Sequence, residues 1–132
     1  MNLESTYVVL DENADATPVE VTPTVFEDLD KQFDKFVGKL LIAKFSFEED
    51  WPSWEIHPKG DEIVCLLSGT ATMILKKDDK QTSVELSGSG DFVVVPCGTW
   101  HTARIKEPTS MIYVTPGEGT ENVTTLPISE HE

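Results

Sequence analysis

Residues 54–69 read Trp54-Glu55-Ile56-His57-Pro58-Lys59-Gly60-Asp61-Glu62-Ile63-Val64-Cys65-Leu66-Leu67-Ser68-Gly69, and this stretch decides the fold. Glu55 and His57 are two apart, so on a strand they project to one face. Pro58-Lys59-Gly60-Asp61 has the residue types of a tight turn and lets the chain reverse or kink. Glu62 then opens an apolar strand, where a carboxylate is out of character unless something pairs with it. If Glu62 points inward, Val64 and Leu66 follow it and Cys65 faces the other way.

A second stretch complements the first. After Gly90, Asp91 leads into Phe92-Val93-Val94-Val95, Pro96-Cys97-Gly98 forces a turn, and His101 begins the returning strand. A histidine so placed can face Glu55, His57 and Glu62 across a barrel interior. Two imidazoles with one or two carboxylates suit a divalent transition metal such as Mn, Fe, Ni or Zn. Strand-borne ligands in a rigid barrel also leave coordination positions open for substrate. Other readings stand beside this one. Glu55 reads as a ligand or as a hydrogen-bonding partner for His57 in a pocket. His57 and His101 read as ligands or as satisfied interior histidines, and Glu62 as a ligand or as a structural carboxylate at a strand start. Trp51, Trp54 and Trp100 bracket the two stretches; Trp54 and Trp100 are the expected pocket walls, with packing at the barrel end as the alternative. Cys65 reads as a packed strand residue and Cys97, amid acid, as an inert thiol. Arg104, three after His101, alternates to the opposite face.

The rest of the chain supplies more strands. Tyr7–Leu10, Lys39–Phe47, Thr70–Leu75, Thr82–Leu86 and Met111–Val114 are short apolar or alternating runs between Gly, Pro, Ser and Asp clusters. Ser68-Gly69 predicts a hairpin between Ile63–Leu67 and Thr70–Leu75. Asn122–Leu126 could add a last strand. One helix is expected over 24–37, where Phe26, Leu29, Phe33 and Phe36 share a face. Thr24 is its N-cap, Glu27 the capping-box partner and Gly38 the stop. Many short strands with one helix indicate an all-β sandwich or barrel.

Together the two stretches resemble the cupins, small β-barrels with motifs G-x5-H-x-H-x(3,4)-E-x6-G and G-x5-P-x-G-x2-H-x3-N. His57, Glu62 and Gly69 match the first motif, and Gly90, Pro96, Gly98 and His101 match the second at every spacing. Glu55 replaces the first histidine, Glu49 the leading glycine and Ile105 the final asparagine. The resemblance, which spans roughly residues 39–115, implies a small single-domain cupin with an antiparallel double-stranded β-helix (jelly-roll) barrel and one N-terminal helix. Residues 1–38 would form a strand and helix packed on the barrel, 39–116 the barrel, and 117–132 an acidic tail. Metal-binding relatives use three histidines and a glutamate; here the set would be His57, Glu62 and His101 with Glu55. The expected function is metal-dependent chemistry on a small polar organic molecule, of dioxygenase, isomerase or decarboxylase type. A non-enzymatic ligand-binding or sensing module is the alternative. The resemblance also implies a homodimer, with Tyr7–Leu10 and helix 24–37 as the elements to look for at its interface.

Charge narrows the partners. The chain of 132 residues has 24 Asp+Glu against 10 Lys+Arg and a net charge of −14. Residues 1–50 contribute −8, residues 51–106 only −1, and residues 107–132 −5. The acid belongs to the ends, whereas His57 and His101 lie in the neutral middle; His131 falls in the polar tail. Such a polyanion disfavours nucleic acid and anionic membrane surfaces. No apolar run approaches the ~18 residues of a membrane span. The N-terminal residues lack the pattern of a signal peptide, and two cysteines are too few for a disulfide framework. A cytoplasmic protein binding a small molecule is the expectation.

Overall fold

The computed structural model describes residues 1–126; His131 lies outside the described residues. In chain order the elements are β1 (Thr6–Leu10), β2 (Ala16–Glu20), α1 (Val25–Gln32), a 3-10 turn (Asp34–Phe36), β3 (Leu40–Phe47), β4 (Trp54–Ile56) and β5 (Glu62–Ser68). They continue as β6 (Ala71–Lys77), β7 (Lys80–Leu86), β8 (Phe92–Val95), β9 (Trp100–Ile105), β10 (Thr109–Pro116) and β11 (Glu121–Val123). Two antiparallel sheets result, ordered β2-β1-β3-β10-β5-β8 and β11-β4-β9-β6-β7. Alternation along β5, β6 and β10 sends Val64, Leu66, Met73, Leu75, Met111 and Tyr113 into the space between them. This is the all-β arrangement with one helix that the strand pattern implied, in the jelly-roll form that the cupin resemblance implied.

Three local expectations need correcting. Ser68-Gly69 does not close a hairpin: β5 pairs with β10 and β8, whereas β6 pairs with β7 and β9 in the other sheet. The turn carries the chain between sheets, and turn chemistry alone does not distinguish the two uses. Gly69 is required there. It sits at φ +81°, and a side chain would run into Pro108 and Thr109.

The helix is shorter than expected and turned differently. Val25 and Leu29 are its buried residues, while Phe26 is 55% exposed. Thr24 Oγ1 donates to Asp28 Oδ2 at 2.9 Å rather than capping a backbone amide. After Gln32 the chain enters the left-handed region at Asp34, Lys35 and Phe36, with φ of 50°, 54° and 63°. Each such residue costs about 1–2 kcal/mol. Burial of Phe36 beside Gly117, worth about 1.5–3 kcal/mol, offsets part of that cost, and the chain turns back toward β3.

The third correction is β2, a strand not expected in the Thr/Pro-rich segment 16–20. It pairs with β1 from Thr6↔Glu20 to Leu10↔Ala16. The Asp11 carboxylate fixes the connecting turn by accepting the amides of Asn13 and Asp15 at 2.8 and 2.9 Å. Pro18 is tolerated because β2 is an edge strand. The sheet therefore extends beyond its partner sheet, and α1 covers the overhang through Tyr7, Val9, Val25, Leu29, Phe36 and Ala43. Among the described residues no helix is long and apolar enough to cross a membrane.

Replacing Gly69 by alanine combines a left-handed backbone with a backbone clash. Equilibrium urea unfolding of Gly69→Ala is expected to give a loss of roughly 2–4 kcal/mol, whereas Gly88→Ala, which meets nothing closer than 3.7 Å, should lose under about 1 kcal/mol.

Candidate functional site

The two turns of the sequence stretches are tied together before any site is formed. The Cys97 amide donates to Asp61 Oδ1 at 2.7 Å, Cys97 Sγ to Pro58 O at 3.1 Å, and the Gly98 amide to His57 O at 3.0 Å. Cys97 is thus hydrogen-bonded into the turn through both its amide and its thiol. Cross-strand pairing of Glu55 on β4 with His101 on β9 sets those two side by side.

Glu62 is the meeting point. Its Oε2 lies 3.2 Å from His57 Nε2 and its Oε1 lies 3.0 Å from His101 Nε2. Thr115 Oγ1 donates to Oε2 at 2.6 Å. The other ring nitrogens are anchored: His57 Nδ1 meets Thr120 Oγ1 at 2.8 Å, and His101 Nδ1–H donates to Thr99 O at 3.2 Å. Both imidazoles therefore present Nε2 to the same place, with orientation set from behind. The Nε2–carboxylate approaches are close but not aligned as hydrogen bonds. His57 Nε2, His101 Nε2 and Glu62 Oε1 are all buried without a hydrogen-bond partner. Glu55, His57 and His101 each place one ligand atom within 4.8 Å of the other two.

Buried nitrogen and oxygen atoms that converge on one another in this way, with no further partner, fit a cation. The four expected ligands, His57, Glu62, His101 and Glu55, are thus brought together, and a His/Glu group of this composition could hold a divalent metal.

The electrostatics follow from burial and crowding. Burial would raise the Glu62 carboxyl, but His101 and His57 beside it outweigh burial and lower it from 4.5 to about 2. Burial pulls His101 down, yet Glu62 and the Thr99 carbonyl push it above 6.5. Glu55 goes the other way: burial, then the Glu62 charge, raise its carboxyl above 4.5. Burial and both carboxylates hold the Tyr113 phenol well above 10, so its hydroxyl stays protonated.

A cavity of about 1040 Å³ opens from this site toward α1. Phe45, Phe47, Trp51 and Tyr113 wall its barrel side, and Phe26 and Leu29 its helix side. Glu55, His57 and Glu62 line its inner end. His101 lies behind, fully buried and edge-on to Trp51 with ring centroids 6.1 Å apart. The expected pocket walls Trp54 and Trp100 are not among the lining residues. Glu55 and His101 occupy the inward positions of β4 and β9, so alternation turns the neighbouring tryptophans outward. Trp51, in the loop before β4, supplies the aromatic wall instead.

Sequence reasoning missed three contributors. Tyr113 read only as part of an apolar run, although its alternation with Met111 marks it as inward. Thr115 and Thr120 looked like ordinary strand-end and tail residues. Thr120, beyond the barrel boundary expected at residue 116, anchors a histidine of the site.

No family model and no curated relative matches the chain. Solved structures do. An oxalate oxidase superposes with TM-score 0.53 at 20% identity, covering 61% of this chain and 44% of that one. A cupin-2 domain protein from Shewanella frigidimarina gives 0.50 at 21%, covering 58% and 70%. The oxalate decarboxylase of Bacillus subtilis, whose structure concerns Mn(II) centres, gives 0.52 at 20%, covering 64% and 23%. Drosophila melanogaster CENP-C bound to CAL1 gives 0.50 at 10%, covering 58% and 72%. The chain thus spans less than half the length of the oxalate oxidase it superposes on. With the two motif stretches folded as above, these likenesses identify the fold as that of the cupin superfamily.

The pH dependence of the metal-free protein follows. Glu62, lowered on folding, contributes stability above pH 4.5 that is lost as pH falls toward about 2. His101, raised on folding, contributes below 6.5 and loses it as pH rises through its folded value; Glu55 adds to the decline once it ionises. Thermal melts of the apoprotein minus those of Glu62→Gln should peak near about pH 5 and shrink on both sides. A difference that is flat from pH 3 to 9 would contradict the ion-paired site.

Proposed function

We propose that the protein is a small metal-binding cupin that acts on a small polar organic molecule. The observation that carries this reading is the convergence of His57 Nε2, His101 Nε2 and Glu62 Oε1, buried and with only one another for charge partners, at the inner end of a large cavity. His57, His101 and Glu62, with Glu55, would hold a first-row divalent ion such as Mn, Fe, Ni or Zn. Such an ion supplies Lewis-acid or redox chemistry when bound. The protein's own groups position, exclude water and manage protons. Thr120 and Thr99 hold the imidazoles, and the phenylalanine, Trp51 and Tyr113 walls give the cavity beside them an apolar lining. Where Glu55 stays out of the ion's coordination, its raised carboxyl can take or give a proton at the cavity's inner end.

The cavity also bears on substrate class. Its inner end carries two carboxylates, and Lys31 and Lys35 on the helix side are the only cations among its described lining residues. A dianion such as oxalate would meet like charge there without an arginine to offset it. A neutral molecule with a planar or apolar body and a polar metal-facing end fits better.

Elemental analysis of untagged protein, before and after incubation with Mn, Fe, Ni or Zn, tests the reading. About one ion per chain is expected, falling at least tenfold in His101→Ala. Less than one ion per several chains after every reconstitution would overturn it.

The segregation of acid to the chain ends favours one alternative: a ligand-binding module without turnover. It predicts saturable small-molecule binding that survives His101→Ala, and no product formed with any of the four metals.

A further inference from the structure

Two buried donors stand apart from the histidine–glutamate cluster. Trp51 Nε1 and Tyr113 Oη have no hydrogen-bond partner among the described residues. Both side chains line the cavity, and Tyr113 is 4% exposed. Native proteins pair nearly all such groups, because a buried donor without an acceptor forfeits the bond it made with water. A phenylalanine at either position would supply an apolar ring without that loss. Packing therefore accounts for the two rings and not for the N–H and O–H they carry.

Their place in the fold is specific. Tyr113 and Thr115 are successive inward positions of β10, and Thr115 donates to Glu62 Oε2 at 2.6 Å. The phenol is thus one strand step from the ligand cluster. Trp51 stands edge-on to His101, and its ring centroid lies 6.0 Å from that of Tyr113. The two donors belong to one wall, which Phe45 and Phe47 continue at centroid distances of 5.3 Å from Tyr113 and 5.6 Å from Trp51. The threonine hydroxyls at the cluster are already committed, Thr115 to Glu62 and Thr120 to His57.

We propose that Trp51 Nε1–H and Tyr113 Oη–H form a subsite for the acceptor oxygen of a neutral carbonyl compound, whose planar body lies along the Phe45–Phe47 wall. The subsite rests on the reading of the cavity as a small-molecule pocket, and not on the ion. Hydrogen-bond polarity selects the class. An indole N–H donates and never accepts, and a protonated phenol has a hydrogen to give. Burial and the charges of Glu62 and Glu55 keep the Tyr113 phenol protonated. An amine or ammonium group would bring hydrogens against hydrogens at the indole. An anion would add negative charge to an end that already carries Glu55 and Glu62. A carbonyl oxygen offers two lone pairs without net charge, so it can satisfy both donors. The four aromatic rings give the apolar flank that a planar ketone, ester or lactone needs.

Acetophenone and α-methylstyrene test this, because they share a shape and differ in a carbonyl oxygen against a methylene. Calorimetry on the metal-free full chain measures their binding, so that no ion competes for the carbonyl. Transfer from water favours the hydrocarbon in every variant, so the readout is each probe's change from wild type. Tyr113→Phe and Trp51→Phe should each weaken acetophenone roughly tenfold more than α-methylstyrene. The carbonyl stretch of bound acetophenone should lie below its position in hexane and move back toward it in Tyr113→Phe. Tyr113→Phe should melt no lower than wild type, since its hydroxyl has no protein partner to lose. Metal uptake, measured separately, should match wild type in both variants. A chain that takes up no metal yet shows these probe differences would overturn the metal centre and leave the subsite standing. Equal weakening of the two probes in either variant, an unshifted carbonyl stretch, a lower melting temperature in Tyr113→Phe, or no binding of acetophenone at millimolar concentration would overturn the subsite.

Discussion

A carboxylate buried at 2% exposure among apolar side chains is the constraint on which the site depends. An isolated charge there would be costly by several kcal/mol. Glu62 avoids that cost by facing two imidazoles and accepting from Thr115, and these partners come from different parts of the fold. Glu62 and Thr115 belong to β5 and β10 of one sheet, His101 to β9 of the other, and His57 to the loop after β4. The cluster therefore joins the two sheets at the open end of the barrel. The atoms that neutralise one another are also those that would coordinate an ion, so a His/Glu group of this kind could hold a metal. Metal binding and apoprotein stability would then compete for the same lone pairs.

Strand alternation accounts for three surfaces at once. On β5, Glu62, Val64 and Leu66 point inward, giving one site residue and two core residues, while Ile63 and Cys65 point outward. On β10, Met111 and Tyr113 serve the core and the cavity wall, while Ile112 and Val114 serve the outer face. A strand used on both sides reads as a continuous apolar run, which is why these segments showed weak alternation. Helix α1 completes the arrangement by covering the overhang of the larger sheet, and it forms the outer wall of the cavity.

The fold and the four ligand candidates were legible in the sequence, because motif spacing and period-2 placement are local properties. Glu55, His57, Glu62 and His101 needed only alternation and two turns to be brought together. What was not legible depended on the partner sheet. Ser68-Gly69 has the chemistry of a hairpin turn, and only the close passage of Pro108 and Thr109 marks it as a crossover. Trp54 and Trp100 were expected to line the pocket because they adjoin ligands, but adjacency on a strand means opposite faces. Thr120 anchors His57 across 63 positions of chain, a contact that no local pattern encodes. Phe26 matched the helical period yet lost the buried position to Val25, since the sheet beneath decides which face is covered.

We propose that Glu62, His57 and His101, with Glu55, form a metal centre rather than a closed ion-pair network. An anomalous difference map from crystals grown with Mn(II) tests it most directly. The account predicts one peak between the Nε2 atoms of His57 and His101 and the Glu62 carboxylate, with that carboxylate turned from the histidines toward the ion. A map without a peak at this position, with Glu62 still paired to both imidazoles at saturating Mn(II), would contradict it.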